Sequence, residues 1–379
     1  MKIFHLSDLH LGKRLLEYSL IEDQKYILDR ITERVGEEKP DAVVIAGDVY
    51  DRTSPSREAV ILFDSFLTEL KNLGCAVFVI SGNHDSPERI SFGSSLISSA
   101  GVYMSPIYCG KVEPIVLDDQ YGKVAFYMLP FIKPSAVRGF FDDREIESYT
   151  DAVDAAVSSM EIVEGARSVL ITHQFVTGSD RSESEELSVG GTDNVDASVF
   201  DRFDYVALGH LHKAQYCTRP EVRYSGTPLK YSFSEKDDEK SITVVELGAR
   251  GVASISTIPL TPLVDMHELR GSFSEISSPE FYKNCEYRDQ YLRIILTDEC
   301  EVSDSVSRLR LIYPRLLKLK YEIYSADRCE LGELDETVVR RSPKDVLAEF
   351  FTVRTGKEMN GEQRELVFSL IDKIWEEEE

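Results

Sequence analysis

An α/β architecture, a mostly parallel sheet with helices outside it, is what the first 260 residues predict. Three observations carry that expectation. Short apolar runs rich in β-branched residues recur at 1–6, 41–46, 75–80, 124–129, 168–172 and 205–208. This is how strands buried on both faces read. Segments with helical spacing separate the first three runs. Five of the runs then lead into Asp, Asn or His, and ligands bind open α/β sheets at the carboxyl ends of their strands.

The elements follow in order. Residues 1–6 form the first strand, and Ser7-Asp8-Leu9-His10-Leu11-Gly12 leaves its end as a loop. Asp8 and His10, two apart in extended backbone, point to one side. Ile21, Tyr26, Ile27, Leu28, Ile31 and Val35 have helical spacing over 18–35, and Pro40 closes that segment. The second strand, 41–46, ends in Gly47-Asp48-Val49-Tyr50-Asp51. A second helix is expected over 55–73, stopped by Gly74. The third strand, 75–80, runs into Gly82-Asn83-His84-Asp85. Further on, 124–129 is a strand and 148–160 a helix. The strand at 168–172 ends at His173, and the one at 205–208 ends in Gly209-His210-Leu211-His212. The intervening stretch, 177–193, is a long loop, the kind that is functional or mobile in compact domains. Residues 222–228 and 241–247 read as strands and turns at a second sheet edge.

Near Pro259 and Pro262 the pattern changes. A small α+β unit is expected over 263–328, with strands at 291–296 and 316–323 and a helix at 304–312. A linker, 329–341, precedes two amphipathic helices in 342–379. Ser342-Pro343 opens the first of them as cap and first helical residue. Val346, Phe350 and Phe351 lie on one apolar stripe, and Leu366, Leu370 and Ile374 on another. So short a pair either folds back on the body or docks on another protein.

The net charge of −24 in 379 residues argues against unaided nucleic-acid binding over the whole surface. It leaves room for a local basic groove, or for charge supplied by metal or a partner. Cys75, Cys109, Cys217, Cys285, Cys300 and Cys329 form no C-x-x-C pair. They suggest reduced thiols and a cytoplasmic setting. No run is long enough to span a membrane as a helix.

Of the seven histidines, His10, His84, His173, His210 and His212 sit at strand ends. His5, inside the first strand, reads as a satisfied core residue. Imidazole and carboxylate ligands without thiolate suit hard-to-borderline divalent ions. Two such ions sharing a carboxylate clamp the attacking and leaving oxygens of a phosphoryl displacement and supply a hydroxide nucleophile. Asp48, from a middle strand, is the natural bridge. Asp8, His10 and His212 complete one site, and Asn83, His173 and His210 the other. His84 is left over, as a cation or proton donor to the phosphate or as a hydrogen-bonding neighbour only. Asp51 and Asp85 are candidates to orient ligating histidines.

Asp8-x-His10, Gly47-Asp48-x-x-Asp51, Gly82-Asn83-His84-Asp85, His173 after its strand, and Gly209-His210-Leu211-His212 together resemble the five motifs of the calcineurin-like metallophosphoesterases. The surrounding wording (HLSDLHLGK, AGDVYDRTSPS, SGNHDSPER, DYVALGHLHKAQ, YSGTPLKYSFSE) is similar to that of bacterial nuclease subunits in DNA double-strand-break repair. The resemblance covers residues 1 to about 260 well, and the α+β unit only by position. It implies a metallophosphoesterase β-sandwich flanked by helices over 1–262, with an α+β DNA-capping domain at 263–328. The C-terminal helix pair would then hold the coiled-coil base of an ATPase partner. It also implies two Mn²⁺ (Mg²⁺ possible) and a homodimer. The activities implied are 3′-to-5′ exonuclease action on duplex ends and endonuclease action on hairpins. By position, the metal ligands carry over to Asp8, His10, Asp48, Asn83, His173, His210 and His212, and the catalytic histidine to His84. DNA-contact residues do not carry over; Lys13, Arg14, Arg52, Arg57 and Arg89 lie near the motif loops as phosphate contacts or as solvated surface. The alternatives are a phosphoesterase acting on nucleotides or small diesters, and a DNA-end-binding scaffold with a vestigial site.

Overall fold

In a computed structural model of the protein, residues 1–180, 182, 193–322, 344, 348, 351 and 359–376 are described. The chain divides into two units, Met1–Met266 and His267–Glu379.

The strands of the first unit are β1 (Lys2–Leu6), β2 (Ala42–Ala46), β3 (Ala76–Ile80), β4 (Val102–Met104), β5 (Ile115–Asp119) and β6 (Gly122–Leu129). They continue as β7 (Arg167–His173), β8 (Tyr205–Gly209), β9 (Gln215–Cys217), β10 (Arg219–Tyr224), β11 (Ser241–Gly248) and β12 (Gly251–Pro259). They form two six-stranded sheets, ordered β12-β11-β1-β2-β3-β4 and β9-β10-β8-β7-β6-β5. Four strands of the first sheet (β1 to β4) and four of the second (β6, β7, β8, β10) run parallel within their sheet; antiparallel strands flank them on one side in the first sheet and on both sides in the second. The alternation of strand and helix predicts one mostly parallel sheet. The fold has two, stacked as the sandwich that the family resemblance implies. Nothing in the apolar runs distinguishes them, because strands of both sheets are buried on both faces.

Residues from both sheets share one core: Ile3, Val44 and Phe78 from the first, Phe126, Ile171 and Tyr205 from the second. Phe78 stacks on Phe126 across the gap, with centroids 4.2 Å apart. His5 lies fully buried in this layer, its ring bonded to the Tyr205 hydroxyl (2.9 Å) and Leu208 O (3.2 Å). It is a satisfied core residue, as the sequence predicts.

The helices lie outside. α1 (Ile21–Glu38) begins after the expected start, because Tyr18 pairs with Leu15 in a short antiparallel hairpin. Lys39, at φ 49°, ends it just before Pro40. α2 (Arg57–Asn72) is capped by the Ser56 side chain, which accepts from Ala59 N. α3 (Tyr149–Ser158) opens with a capping box between Ser148 and Asp151.

The second unit carries a three-stranded sheet, β13 (Met266–Gly271), β14 (Tyr291–Leu296) and β15 (Leu316–Tyr321), with α4 (Ser305–Ile312). Leu292, Ile294, Leu309 and Leu316 fill its core. The sequence reading misses β13, which has few β-branched residues, and the short helices Phe273–Ile276 and Pro279–Asn284. Residues 329–341, Val346 and Phe350 lie outside the described residues. Phe351 is half-buried. Leu366, Leu370 and Ile374 fall in the helix α5 (Gly361–Glu376), with Leu366 exposed. Among the described residues, no helix is long and apolar enough to cross a membrane.

Candidate metal centre

Both sheets send the carboxyl ends of their parallel strands to the same edge of the sandwich. Asp8 and His10 leave β1, Asp48 leaves β2, and Asn83 and His84 follow β3. His173 closes β7, and His210 and His212 follow β8. The first two loops are stitched together by their backbones, Asp8 N to Gly47 O (3.0 Å) and His10 N to Asp48 O (2.9 Å). The sheets are joined here too: His173 Nδ1 donates to Ala46 O at 2.8 Å.

The backbone is strained where these side chains leave it. Among the described residues, eight non-glycine residues have positive φ, and four are Asp8 (53°), His10 (44°), Asp48 (47°) and His210 (108°). Such conformations cost on the order of 1–3 kcal/mol each and collect at functional sites. Close packing adds a second constraint. A Cβ on Gly82 would sit 2.1 Å from Asp48 Oδ1, and one on Gly209 only 1.8 Å from Ala46 O.

The side chains converge. His10 Nε2 lies 3.2 Å from His212 Nε2 and 3.7 Å from Asp48 Oδ2. His173 Nε2 lies 3.4 Å from the same Asp48 oxygen and 2.9 Å from Asn83 Oδ1, which also meets His210 Nδ1 at 3.0 Å. Both Asp8 oxygens accept from His210 N at 3.1 Å. Three overlapping groups (Asp8-His10-His212, His10-Asp48-His84, Asp8-Asp48-His173) each bring their potential ligand atoms within 4.8 Å of one another. All the residues expected as ligands therefore meet at one place, with Asp48 between the two sets.

Electrostatics show what is missing from such an array. The proton on His173 Nδ1 is committed to a carbonyl, so in the neutral ring Nε2 presents a lone pair to Asn83 Oδ1 and Asp48 Oδ2, both acceptors. His10 Nε2 and His212 Nε2 face each other at 3.2 Å, near enough for one to donate to the other. At His173 such an arrangement calls for a cation between the acceptors, whether a proton or a metal ion. Burial alone would lower the His173 pKa, but the Asp48 and Asp8 carboxylates outweigh it and raise it to about 9. Burial holds His10 well below its usual value and brings His210 down to about 3, helped by the His173 charge. Burial works to raise both carboxyls: Asp8 rises, while the surrounding histidines, His173 first, pull Asp48 below the usual range. The donor set, mixed imidazole, carboxylate and amide oxygen, fits divalent metal ions.

His84 is half-buried beside this array. Its backbone N donates to Asp48 Oδ1 (2.9 Å) and its Nδ1 to Asp51 O (3.1 Å), so Nε2 faces the centre, 4.0 Å from Asp48 Oδ2. Asp51 Oδ1 lies 3.8 Å from His10 Nδ1, a nitrogen with no hydrogen bond, and pairs with Lys13 Nζ at 2.7 Å. Asp85 takes a different place from the expected one. It accepts from Val49 N, Tyr50 N and Gly82 N (2.9–3.0 Å) and so fastens the Asp48 and Asn83 loops, with no histidine among its hydrogen-bond partners here. Burial and the Asp48 charge raise its pKa to about 7 against those three donors. Arg14, Arg52, Arg57 and Arg89 are exposed, and Lys13 is mostly covered.

The sequence reading misses the support behind the first loop. Gln24 donates to His10 O (2.7 Å) and accepts from Gly12 N (2.9 Å); Tyr231 donates to Leu9 O (2.6 Å). Glu235 is fully buried, 3.7 Å from His212 Nδ1. Burial works to raise its carboxyl, but hydrogen bonding to His212 and the Lys240 charge bring it below the usual range. Helical spacing of apolar residues cannot reveal these groups; a polar residue such as Gln24 among the buried positions of α1 is the one signal the sequence offers.

Residues 1–214 match the calcineurin-like phosphoesterase family, and residues 262–355 match a family described as the type 5 capsule protein repressor C-terminal domain. A curated relative from Staphylococcus saprophyticus, the SbcD component of the nuclease SbcCD, is 32% identical over 370 residues, covering 95% of this chain and 96% of that protein. Among solved structures, a novel archaeal phosphodiesterase is 13% identical over 69% of this chain and all of the other, with a TM-score of 0.30. A dimetal phosphatase from Danio rerio is 14% identical over 69% and 99%, with a TM-score of 0.37.

Proposed function

The chain belongs to the calcineurin-like phosphoesterases, and from that membership we propose that it is an SbcD-type nuclease subunit hydrolysing DNA phosphodiesters with two Mn²⁺ ions. The observation that carries this is the convergence of buried imidazoles, carboxylates and an amide oxygen on Asp48, with His173 Nε2 facing two acceptors, Asn83 Oδ1 and Asp48 Oδ2. Asp8, His10, His212 and Asp48 would hold one ion; Asn83, His173, His210 and Asp48 the other. Bound there, the ions would clamp the attacking and leaving oxygens of an in-line displacement.

The remaining work falls to the chain's own residues. With Nδ1–H committed to Asp51 O, His84 can bring a second proton on Nε2 to the phosphate or leaving oxygen. Lys13, held by Asp51 beside His10, and the exposed arginines near the motif loops are candidates to meet DNA phosphates. The strained loops keep the ligating side chains preorganised.

In the same reading, residues 1–262 are the catalytic domain, 263–328 cap the DNA and 329–341 link to 342–379, which holds an SbcC-type coiled-coil ATPase. The substrates are duplex ends, cut 3′ to 5′, and hairpins, cut endonucleolytically. The protein works as a homodimer in the cytoplasm. The acidic chain leaves part of the positive surface to that partner.

The test is Mn²⁺-dependent digestion of end-labelled duplex and hairpin DNA, with an SbcC-type ATPase and ATP present. Wild type should cut both, and His84→Gln should keep metal and DNA binding but lose cutting. DNA left intact while a small aryl phosphodiester is cleaved would move the assignment to a phosphoesterase of small substrates.

A further inference from the structure

Glu235 closes the short turn Phe233–Glu235, far from the motif loops in sequence, and its carboxylate has no exposure to solvent. A carboxylate so placed needs partners. Oε2 accepts from Lys240 Nζ (2.7 Å) and Thr227 Oγ1 (3.4 Å). Oε1 accepts from Ser232 Oγ (3.1 Å) and is the atom that faces His212 Nδ1 at 3.7 Å. The same groups grip the His212 backbone. Lys240 Nζ donates to His212 O at 2.9 Å, and Thr227 donates to it from N (3.1 Å) and Oγ1 (3.3 Å). The opposite edge of the ring, Nε2, points at His10 Nε2. His212 thus has one nitrogen toward a buried carboxylate and the other toward the candidate metal centre.

We propose that Glu235 is a positioning residue for His212: its carboxylate accepts from Nδ1–H and so holds the proton on that nitrogen, leaving Nε2 the lone pair for the ion shared with Asp8 and His10. Lys240 makes the buried carboxylate tolerable and ties it to the His212 backbone. This rests on the reading of His212 as a ligand. Carboxylate partners of ligating imidazoles typically change metal affinity by about 10–100-fold when removed. A purely structural Glu235 would serve only as the counterion of Lys240, and a shorter carboxylate that keeps that charge would then cost metal binding nothing.

The full-length protein is dialysed against graded Mn²⁺ and its bound metal measured. Wild type should hold two equivalents. Glu235→Asp, which keeps the charge beside Lys240 and leaves the Lys240 bond to His212 O in place but shortens the reach to Nδ1, should weaken one equivalent about 10-fold or more and leave the other as it was. Wild-type affinity at both positions in that variant overturns the proposal while leaving the ligand set standing. A wild type that holds no Mn²⁺ overturns the ligand set and the proposal together. Should Glu235→Asp fail to fold, Glu235→Gln keeps the reach to His212 but replaces the anionic acceptor by an amide. The same weakening is expected there, and unchanged affinity overturns the proposal.

Discussion

Replacing Gly209 by alanine adds one methyl group where the two sheets meet at the candidate site. That Cβ would lie 1.8 Å from Ala46 O and 2.7 Å from His173 Nδ1, the two atoms whose hydrogen bond joins the sheets at the site. Ordinary contact requires roughly 3.4 Å or more, so carbonyl and strand end must separate by on the order of 1.5 Å. Backbone cannot yield as a flexible side chain would. Overpacking of this kind costs about 1–3 kcal/mol, or roughly 2–6 °C in Tm for a domain of this size. The larger effect falls on function, because misplacing a reacting group by about 1 Å can cost ~100-fold. Gly209→Ala should therefore lose about two orders of magnitude in Mn²⁺-dependent cleavage, with a modest fall in Tm by scanning calorimetry. Gly139→Ala is the control: its Cβ would meet nothing within 4 Å. Gly209→Ala cleaving DNA at the wild-type rate would refute the claim that this inter-sheet contact sets the position of His173.

Asp85→Ala strips the acceptor from three backbone N–H groups, and with about 1–3 kcal/mol for each unsatisfied donor it should be among the more destabilising substitutions, read as a drop in urea midpoint. Asp119 pairs with Arg167 and the Met1 ammonium (2.7 Å), and chiefly the Arg167 hydrogen bonds hold its pKa below the usual carboxylate range despite burial. A depressed folded pKa gives stability that is present above the unfolded value of about 3.9 and lost as pH falls through the folded one. The Tm gap between wild type and Asp119→Asn should thus be constant near neutrality and close below about pH 4; a gap that widens on acidification would contradict the pairing. Deleting 342–379 should abolish co-purification with an SbcC-type ATPase while Mn²⁺-dependent cutting of single strands persists, and an unchanged complex in pull-down would remove the partner assignment.

The candidate ligands are legible in the sequence because they sit where apolar runs stop. A strand buried on both faces can be spotted by composition, and whatever polar residues follow it are delivered to one edge. Asp8, His10, Asp48, Asn83, His173, His210 and His212 can be found in this way without knowing which sheet each strand joins. Remote partners cannot. Asp85 sits beside a candidate ligand in sequence, yet its carboxylate turns away to fasten two loops. Glu235 lies in an unremarkable polar stretch and ends up fully buried behind His212. The division into two sheets is equally hidden, because it depends on how the segment between β4 and β6 returns across the edge of the sandwich.

That division explains why the site is costly to hold. Asp8, Asp48 and Asn83 belong to one sheet, His173, His210 and His212 to the other, so the centre is a seam. Burying Asp8, Asp48, His10, His173, His210 and His212 there costs desolvation, which separation of the two halves would relieve. The stacked Phe78 and Phe126 and the bond from His173 to Ala46 O oppose it. Ions that bind only the assembled seam add their binding free energy to the folded state. Chelation should accordingly lower the Tm of the first unit as well as stop cleavage. A Tm indifferent to Mn²⁺ at concentrations that saturate activity would mean that the two sheets hold the ligands in place without help from the ions.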